Sequence, residues 1–410
     1  MKLKDLTGEK VAMCVSGGLD SKTVTRKFMD LGIDVVCFTA DLAQPDEEDI
    51  SDVIKKMEPC GAETFVVDLK EPMADACFEV IKYQAMYDGG YWNSTGIARA
   101  VTVKGIVAAM REHGCTVLAH GATGRGNDQM RFERYTNVLA PDLKVYAPWR
   151  DAGLLEEFPG RIEMVAYLRN LGIEAFPGGE KSYSTDGNLA GLSHEAEDLE
   201  SLETPCTIVK PTMGVWPEGA PDTPETVEVR FEKGLAVAIN GDVIPPLAAM
   251  QLANEIAGRN GIGFKNACEN RIIGTKSRGV YESPGMELLG ACLTSVYQAT
   301  MDRRALGLFN QLSKLIADQI YDGRYFDPVT TAAKAAIDVF AEFANGTVKM
   351  DLYKGNILFH SLTDCPASLY NEADSSMEAS EGLNPVSSQG FAEIQSVEAR
   401  SLALAGQIKA

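Results

Sequence analysis

The sequence predicts an α/β fold with a parallel sheet in its N-terminal part, an α+β region after it and a helical arm at the C-terminus. Three observations lead to this prediction. Short apolar runs alternate with helix-period segments up to about residue 175, as in the strand, helix, strand units of parallel sheets. The composition then changes, and an amphipathic segment ends the chain. We therefore expect three parts, residues 1–175, 176–365 and 366–410.

The first strand, helix, strand unit spans residues 10–44. The apolar run 11–15 predicts a buried strand, and the run 35–39 predicts a second one. A helix is expected between them, because apolar residues recur at helical spacing and a glycine follows, namely Leu19, Val24, Phe28, Leu31 and Gly32. Two parallel strands joined in this way form a crossover unit.

The rest of the first part repeats this alternation. Further strands are predicted at 63–69, 116–119 and 144–147, and helices at 73–86, 97–112 and 159–170. The acidic run 46–49 has the residue types of a metal cluster, but an acidic first turn of a solvent-facing helix explains it better, because the helix dipole favours such residues.

The second part begins with residues 176–225, which are rich in Gly, Pro, Ser, Thr and acidic residues. Alternating patterns then predict strands at 226–231 and 235–239, and Asn240-Gly241 predicts a hairpin turn to a short strand at 243–244. Helices are expected near 246–259, 285–300, 304–321 and 330–345, and a strand at 349–358. The amphipathic segment 390–410 predicts a terminal helix that docks either on a partner subunit or on its own domain.

Composition limits the possible functions. A formal charge of −20 argues against a general nucleic-acid binder, whose affinity depends on a basic surface. The nine cysteines contain no Cys-x-x-Cys pair, so reduced thiols in a cytosol are expected. The four histidines do not have the spacing of a zinc site. Because residues 1–10 lack a signal-peptide core and no apolar run approaches about 20 residues, we expect a cytoplasmic protein that binds neither membranes nor nucleic acids.

The first glycine loop, Ser16-Gly17-Gly18-Leu19-Asp20-Ser21, lies where a predicted strand meets a predicted helix. Glycines let the backbone approach a ligand, and the helix N-terminus offers unpaired N–H groups, which suits a phosphate. The pattern is not a Walker loop. It resembles the pyrophosphate loop of the N-type ATP pyrophosphatases, which cleave ATP between the α and β phosphates. The alternative is a glycine turn that only joins strand to helix.

The second glycine loop, residues 120–133, also follows a predicted strand, and ligands of open α/β sheets collect at those strand ends. It contains a hydroxyl at Thr123, an amide at Asn127, a carboxylate at Asp128 and a guanidinium at Arg131. Such a set can hold an amino acid, with Arg131 pairing its carboxylate and Asp128 its ammonium. The alternative is that these groups only satisfy the loop backbone.

With both loops in view, the chain resembles the argininosuccinate synthases. The resemblance covers residues 10 to about 360 and is carried by segments in the family's order: 16–20, 38–42, 120–133, 147–150, 183–188, 220–222, 269–271 and 276–282. The loop 120–133 and the run Lys-Ser-Arg-Gly-Val-Tyr-Glu at 276–282 are jointly highly specific. The resemblance implies a Rossmann-like, pyrophosphate-loop nucleotide domain (1–175), a synthetase domain (176–365) and an oligomerisation arm (366–410).

The resemblance also implies a reaction. The family condenses citrulline with aspartate through a citrullyl-adenylate, converts ATP to AMP and pyrophosphate, and serves arginine biosynthesis. ATP and Mg²⁺ are the implied cofactors, citrulline or a related ureido acid and aspartate the implied substrates, and a homotetramer with exchanged C-terminal arms the implied assembly. Positioning and charge stabilisation supply most of the catalysis.

The site residues that the resemblance implies fall into groups. The pyrophosphate end of ATP would be held by Ser16, Gly17, Gly18, Asp20 and Ser21, with Cys14 and Lys22 nearby. Ala40 and Gly121 would lie near the adenosine, and Thr123, Asn127 and Asp128 would hold aspartate. The citrulline group would be Tyr91, Thr95, Gly96, Asn127, Arg131, Ser184, Ser193, Glu269 and Tyr281. The catalytic residues would be Asp20, Asn127 and Asp128.

Departures from the family pattern concern the acceptor. Gly96 stands where the family has a hydroxyl that contacts citrulline, Phe264-Lys265-Asn266 stands where Arg-x-Asp is common, and Lys22, which replaces a small hydroxyl residue, would reach phosphate or face solvent. A missing donor in a polar pocket can change substrate preference. One alternative is therefore a paralogue that couples aspartate to another ureido or amide acceptor. Others are a non-catalytic ATP or amino-acid sensor and, disfavoured by the charge and the cysteine pattern, a transfer-RNA thiolase.

Overall fold

The computed structural model describes residues 1–47, 49–124, 126–175, 183–378 and 382–408. These residues divide into two compact units, 1–366 and 367–410. The first unit contains three sheets and most of the helices. The three-domain division with a boundary at 175 stays a prediction.

A parallel five-stranded sheet forms the N-terminal part, as predicted. Its strand order is β3-β2-β1-β4-β5. The strands are β1 (Lys10–Cys14), β2 (Asp34–Asp41), β3 (Glu63–Asp68), β4 (Val117–His120) and β5 (Lys144–Tyr146). The order changes direction between β1 and β4, and their last residues, Cys14 and His120, are paired in register. Both glycine loops leave the sheet at this edge, where ligands of open α/β sheets bind.

Helices cover both faces of this sheet. Alternate residues of β1 enter different cores, with Val11 and Met13 on one face and Ala12 on the other. This two-sided burial explains why the strands are continuous apolar runs. The helices of this part are α1 (Leu19–Asp30), α2 (Asp52–Met57), α3 (Lys70–Lys82), α4 (Ser94–Glu112), α5 (Asp128–Leu139), α6 (Ala152–Glu157) and α7 (Arg161–Asn170).

A four-stranded antiparallel sheet, which we call the polar sheet, was not predicted. Its order is β11-β12-β7-β6. Its strands are β6 (Ser184–Asn188), β7 (Gly191–Glu195), β11 (Phe264–Asn270) and β12 (Lys276–Glu282). The segment 183–195 therefore belongs to a sheet, although its composition resembles that of a loop.

A five-stranded antiparallel sheet has the order β10-β9-β8-β13-β14. Its strands are β8 (Glu225–Glu232), β9 (Leu235–Ile239), β10 (Asp242–Val243), β13 (Gly346–Tyr353) and β14 (Asn356–Thr363). The predicted turn at Asn240-Gly241 is confirmed. The single strand predicted at 349–358 is wrong, because Lys354 and Gly355 adopt positive φ angles of 43° and 81° and turn the chain into a hairpin.

Four long helices pack with these sheets, close to the predicted segments: α8 (Pro246–Arg259), α9 (Pro284–Thr300), α10 (Arg303–Tyr321) and α11 (Pro328–Ala341). The largest hydrophobic core runs from one face of the parallel sheet, at Phe38, through Ile97 of α4 to Leu289 of α9. The parallel sheet and the helices that pack with the two antiparallel sheets therefore share one continuous hydrophobic core.

The second unit contains α12 (Glu372–Ser375) and α13 (Ser387–Leu404). The predicted terminal helix is therefore present. Its apolar residues Phe391, Ile394 and Val397 are 68%, 71% and 58% exposed. Whether this helix docks on a partner subunit or on its own domain stays a prediction.

Two further expectations need correction. The acidic run at 46–49 is not a first helical turn, because α2 begins only at Asp52. Asp46 and Glu47 instead line a cavity described below, and Glu48 lies outside the described residues. Leu31 does not join the helix core, since it is 51% exposed. No helix among the described residues has the length and apolarity that crossing a membrane requires.

Candidate active site

The first glycine loop connects β1 directly to the N-terminus of α1. Gly17 has a φ of +74°, which favours glycine, and a Cβ built on it would lie 3.0 Å from the Lys56 side chain. Ser21 in the first turn of α1 accepts a hydrogen bond from the Ser16 amide at 3.0 Å. The loop is thus held against the helix end, where free N–H groups and the dipole favour an anion.

A cavity of about 390 Å³ opens beside this loop. Its walls include several of the predicted nucleotide residues, namely Cys14, Ser16, Asp20, Ser21, Ala40 and Gly121. Apolar residues line another part of the wall, namely Phe38, Leu42, Ile106 and Phe132. Burial raises the pKa of the Asp20 carboxyl, and the charge of Arg161 opposes that effect only partly. The cavity therefore has one end, at the glycine loop, that suits phosphate groups, and a separate apolar wall.

Asp128, from the second loop, also lines this cavity and is clamped by two guanidinium groups. Arg99 Nε donates to its Oδ2 at 2.8 Å, and Arg131 Nη1 donates to its Oδ1 at 2.9 Å. Arg99 also donates through Nη2 to Asp186 of β6 at 2.5 Å. One arginine on α4 therefore ties the second glycine loop to the polar sheet.

The pKa values of Asp128 and Asp186 are shifted in opposite directions. Burial alone would raise the pKa of Asp128, but Arg99 and Arg131 lower it below its usual value. For Asp186 burial outweighs Arg99, and the pKa is raised. Asp128 therefore stays ionised, while Asp186 is the easier of the two to protonate.

A second cluster surrounds Glu269 on β11. The Tyr281 hydroxyl donates to its Oε2 at 2.8 Å, and the Tyr321 hydroxyl donates to its Oε1 at 2.6 Å. The Tyr281 ring stacks on Tyr91 with centroids 4.0 Å apart, and the Tyr91 hydroxyl accepts from the Thr95 amide at 2.8 Å. Burial raises the pKa of Glu269 despite the two tyrosine hydrogen bonds. These contacts hold the Glu269 carboxylate in place among the rings of Tyr281, Tyr321 and Tyr91.

The register of the polar sheet explains how distant residues share one face. Ser193 pairs with Tyr281 and with Asp186, and Ser184 pairs with Glu195. Because side chains alternate along a strand, these residues lie on the same face as Glu269. Among the predicted citrulline residues, Ser184, Ser193, Glu269 and Tyr281 are therefore brought together by strand pairing.

Asn127 connects the second loop to this face. Its Nδ2 donates to the Tyr321 hydroxyl at 2.9 Å, and its Oδ1 accepts from the Ile272 amide at 3.0 Å. Arg131, in turn, donates to the Tyr321 carbonyl at 2.9 Å. Thr123 lies exposed in the loop. The second glycine loop thus contacts the turn between β11 and β12 of the polar sheet through Asn127, and the end of α10 through Asn127 and Arg131.

Lys22 does not fulfil the expectation of a phosphate contact. It is 8% exposed, and its Nζ donates to the carbonyl of Glu174 at 3.0 Å, at the far end of the α7 region. The ammonium therefore reaches neither the glycine loop nor open solvent. It instead satisfies a carbonyl group that follows α7.

Gly96 also differs from the expectation. A Cβ added there would lie 3.2 Å from Ile320 Cγ2 and from the Ile320 carbonyl, and 3.4 Å from Asn93 Oδ1. The space into which a hydroxyl would project is therefore filled by α10, and Gly96 permits close packing of α4 on α10. In the second departure, Phe264 stacks on Trp216 with centroids 4.2 Å apart and Lys265 pairs with Glu287 at 2.9 Å. Phe264 therefore lies on the face opposite Glu269, while Lys265 lies on the same face four residues away but is paired with Glu287.

Three residues at the centre of these contacts were not predicted as site residues: Arg99, Tyr321 and Glu195. Arg99 lies one helical turn after Gly96, and Glu195 lies in a segment with the composition of a loop, so neither side chain carries a sequence signal of its own. Tyr321 ends a helix with an ordinary amphipathic pattern, so the sequence carries no signal for it. Burial and the nearby charge of Glu269 raise the pKa of Glu195 to about 7, and its nearest cation, Arg271, is 3.7 Å away.

No group of three or more metal-binding side chains occurs within the described ranges. A cation bound only by protein groups is thus not supported there. Asp20 is the carboxylate of the first glycine loop in the cavity wall, and Asp46 and Glu47 line the same cavity. One carboxylate together with phosphate oxygens is a donor set that suits Mg²⁺.

Family models match both parts of the chain. The model for the arginosuccinate synthase N-terminal HUP domain matches residues 10–174, and that for the arginosuccinate synthase C-terminal domain matches residues 183–402. Together they cover the parallel sheet, the polar sheet and the second antiparallel sheet.

Curated relatives match along nearly the full length. An argininosuccinate synthase of Rhodopirellula baltica is 39% identical over 391 residues, which is 95% of this chain and 96% of the relative. One of Nitratidesulfovibrio vulgaris is 38% identical over 398 residues, 96% of this chain and 97% of the relative. The chloroplastic enzyme of Arabidopsis thaliana is 38% identical over 388 residues, 93% of this chain and 77% of the relative.

Proposed function

The chain belongs to the argininosuccinate synthase family, and on this basis we propose that it joins citrulline to aspartate with conversion of ATP to AMP and pyrophosphate. The ureido oxygen of citrulline attacks the α phosphate, and pyrophosphate leaves. The aspartate amine then displaces AMP from the activated carbon. The product, argininosuccinate, belongs to arginine biosynthesis.

The observation that carries this proposal is the hydrogen-bonded line from the nucleotide cavity to the polar sheet. Asp128 lines the cavity, Asn127 beside it donates to Tyr321, and Tyr321 donates to Glu269. A reaction that couples two amino acids on a nucleotide needs such adjacency, because the reacting atoms must be held within contact distance.

The first glycine loop is proposed to hold the leaving pyrophosphate. Ser16, Gly17, Gly18 and Ser21 surround the N-terminus of α1, where the dipole stabilises developing negative charge. Asp20 and Cys14 complete this end of the cavity, and Ala40 and Gly121 are proposed to lie beside the adenosine. Burial holds the Cys14 thiol neutral, since its pKa is raised to about 12.

The amino-acid residues are proposed to act through paired charges and hydroxyls. Asp128 and Asn127 suit the aspartate amine, and Arg131 suits a substrate carboxylate. The Thr95 hydroxyl, which is buried beside Tyr91, is proposed to contact citrulline. Ser184, Ser193, Glu269 and Tyr281 present further polar groups for citrulline.

Mg²⁺ is proposed to bind with the ATP phosphates, with Asp20 as the protein carboxylate within reach of them. When bound, it would neutralise phosphate charge at the glycine loop. We further propose a cytoplasmic homotetramer that uses the C-terminal arm for assembly and binds neither nucleic acid nor membrane. The exposed apolar residues of α13 support the assembly, because such a face is costly to leave in water.

The proposal is tested by pyrophosphate release from ATP in the presence of citrulline and aspartate. Omission of citrulline should abolish release, omission of aspartate should limit it to at most one pyrophosphate per site, because the adenylate cannot go on to product, and the products of the full reaction should be AMP and argininosuccinate in equal amounts. A panel of other ureido and amide acids tests the acceptor. A protein that shows no aspartate-dependent turnover of citrulline, or that binds ATP without releasing pyrophosphate with any amino-acid pair, would contradict the proposal.

A further inference from the structure

The segment 91–95 connects the proposed citrulline site to the interior of the molecule. Tyr91 stacks on Tyr281, and its hydroxyl accepts a hydrogen bond from the Thr95 amide. The two residues that follow Tyr91 are buried, with exposed fractions of 2% for Trp92 and 0% for Asn93. The position of Tyr91 and Thr95 in the proposed site therefore depends on what holds the buried residues between them.

Trp92 is anchored on α9 by both its N–H group and its ring. The indole Nε1 donates to Glu287 Oε2 at 2.8 Å. The ring lies against Gly290, one turn further along α9, where an added Cβ would lie 2.3 Å from a ring carbon. Because a glycine leaves room for the indole there, the ring and the N–H group together hold Trp92 in one position.

Lys265 binds the other oxygen of the Glu287 carboxylate. Its Nζ donates to Oε1 at 2.9 Å. Its side chain also passes Gly90, which immediately precedes the segment 91–95, at 3.7 Å from where a Cβ would stand. In the register of the polar sheet, Lys265 is paired with Tyr281. One carboxylate on α9 thus ties the segment 91–95 to the polar sheet.

The two contacts of Glu287 differ in strength. The side chains of Glu287 and Lys265 are 24% and 30% exposed and line a cavity of about 480 Å³, whereas Trp92 is buried. A hydrogen bond from a buried donor to a charged acceptor stabilises more than a partly exposed ion pair does. We therefore expect the contact between Trp92 and Glu287 to be the main part of the anchor.

Building on the proposed function, we propose that Glu287 is a positioning residue for the acceptor. With Trp92 and Lys265 as its donors, it fixes the segment 91–95 and thereby the width of the proposed citrulline site. A pocket of fixed width can discriminate between acceptors that differ by one methylene by about 10- to 200-fold. This role also accounts for Lys265, which belongs to a departure from the family pattern.

The test measures the kinetics of Glu287 variants. Glu287→Leu removes the acceptor of the Trp92 N–H group, and the KM for citrulline should rise about 10-fold. The kcat and the KM values for ATP and aspartate should stay within about twofold, because the lost interaction is one of binding. Glu287→Gln keeps an oxygen for Trp92 and should recover most of the affinity. Lys265→Met should raise the KM for citrulline only about twofold.

Glu79→Leu is the matched control. Like Glu287, Glu79 accepts from an aromatic side chain, Tyr325, and pairs with a lysine, Lys334, but it lies on α3. Its substitution should leave the KM for citrulline within about twofold. Trp92→Phe removes the donor of the anchor. Combined with Glu287→Leu, it should raise this KM no further than the more severe of the two single variants, because both act through one contact.

A longer acceptor tests the width of the site directly. The ureido acid with one more methylene than citrulline should be a poorer substrate of the wild-type chain. The ratio of the kcat/KM values for citrulline and for this longer acid should fall at least about fivefold in Glu287→Leu. In Glu79→Leu the ratio should stay unchanged. A general loss of structure would lower both kcat/KM values by the same factor.

Three outcomes would overturn the inference: an unchanged KM for citrulline in a folded Glu287→Leu, an equal rise in the KM of all three substrates, or no recovery in Glu287→Gln. If Glu287→Leu fails to fold, Trp92→Phe decides the question.

Calorimetry separates this inference from the proposed function. Citrulline binding is measured with an ATP analogue whose α,β bridge cannot be cleaved, so that no turnover is needed. A chain that binds citrulline more tightly than its Glu287→Leu variant, but forms no argininosuccinate from ATP, would refute the proposed function and leave this inference standing. A wild-type chain without affinity for citrulline would overturn the inference as well.

Discussion

The parallel sheet and the polar sheet contribute to the same site in different ways. The parallel sheet is buried on both faces and contributes through the loops that follow β1 and β4, where backbone groups and helix ends are exposed. The polar sheet contributes through one of its faces, where side chains from β6, β7, β11 and β12 lie together. In the proposed function, rigid strands position the amino-acid contacts, and a glycine turn positions the phosphate contacts.

This difference predicts which substitutions affect which substrate. A change in the loop after β1 should act on ATP, and a change on the face of the polar sheet should act on citrulline. A change where the two meet, at Asp128, should affect the whole reaction. The four substitutions below test this division in order of decreasing expected effect.

Asp128→Asn should be the most damaging change. It leaves Arg99 and Arg131 without their shared carboxylate, and removal of one partner of a buried ion pair costs about 3 to 5 kcal/mol. We expect kcat/KM for aspartate to fall about 1,000-fold, which corresponds to roughly 4 kcal/mol. Pyrophosphate release measures the activity, and thermal unfolding measures the stability.

The matched control for that change is Asp142→Asn. Asp142 pairs with Arg111 at 2.9 Å, but their side chains are 60% and 51% exposed. Exposed pairs contribute little, so activity should stay within about twofold. An Asp128→Asn variant that retains a tenth or more of the wild-type activity would show that the ion pairs of Asp128 with Arg99 and Arg131 are not essential for the reaction.

Glu269→Gln tests the face of the polar sheet. The carboxylate accepts from both Tyr281 and Tyr321, and an amide can accept from only one of them without reorientation. Loss of a hydrogen bond to a charged group should raise the KM for citrulline about 30-fold. The KM for ATP should change little. Initial rates at varied citrulline and varied ATP separate the two effects.

Glu79→Gln is the corresponding control. Glu79 also accepts from a tyrosine hydroxyl, that of Tyr325, and pairs with a cation, Lys334, but it lies on α3 outside the site. Its substitution should leave both KM values unchanged. An equal rise in both KM values for Glu269→Gln would argue that the polar sheet supports the site as a whole.

Gly17→Ala tests the phosphate loop, and Gly32→Ala serves as its control at the other end of α1. Both glycines have positive φ angles, +74° and +68°, so both variants should lose about 1 kcal/mol of stability. Only at Gly17 would the new Cβ meet another side chain, that of Lys56 at 3.0 Å. The KM for ATP should therefore rise about 10-fold for Gly17→Ala alone. Equal ATP kinetics in the two variants would contradict the role of this loop.

Glu195→Gln should have the smallest effect and should depend on pH. The pKa of Glu195 is raised from 4.5 to about 7, so between these values the folded chain holds a proton that the unfolded chain has lost. The free energy of unfolding of the wild type should fall more steeply through this range as pH rises than that of the variant. The difference should be about 1 kcal/mol or less, because water partly screens this half-buried group. Parallel melting curves from pH 4 to pH 8 would refute this pKa shift.

The same contrast explains which elements the sequence predicted. The strands of the parallel sheet are buried on both faces, and their apolar runs, such as that of β1, stand out. In β6 and β7 the one large apolar residue is Leu192, because the remaining positions are polar, glycine or part of the site. Strands made mainly of polar residues and glycine, as β6 and β7 are, therefore have the composition of a loop.

The site residues also differ in how far the sequence could predict them. The glycine loops are contiguous in sequence, so Ser16 to Ser21 and Asn127 to Arg131 were identifiable from the residues themselves. Ser184, Ser193, Glu269 and Tyr281 become neighbours only through strand register, and only the family resemblance pointed to them. Arg99 and Tyr321 are brought to the site by helix packing, which periodicity does not specify. Gly96 was singled out from the sequence, but its close contact with Ile320 could not be predicted, because Ile320 lies on a helix more than 200 residues away.

The pairing of β7 with β12 has a consequence for synthesis on the ribosome. All strands of the parallel sheet have been made once β5 has emerged, and its contacts can form early. The hairpin of β6 and β7 emerges next, but two strands alone are marginally stable, and its partner β12 follows only after β8, β9, β10, β11 and α8. The nascent chain therefore contains the proposed nucleotide end of the site before the proposed amino-acid end, which is complete only after α10 has supplied Tyr321, the donor to Glu269.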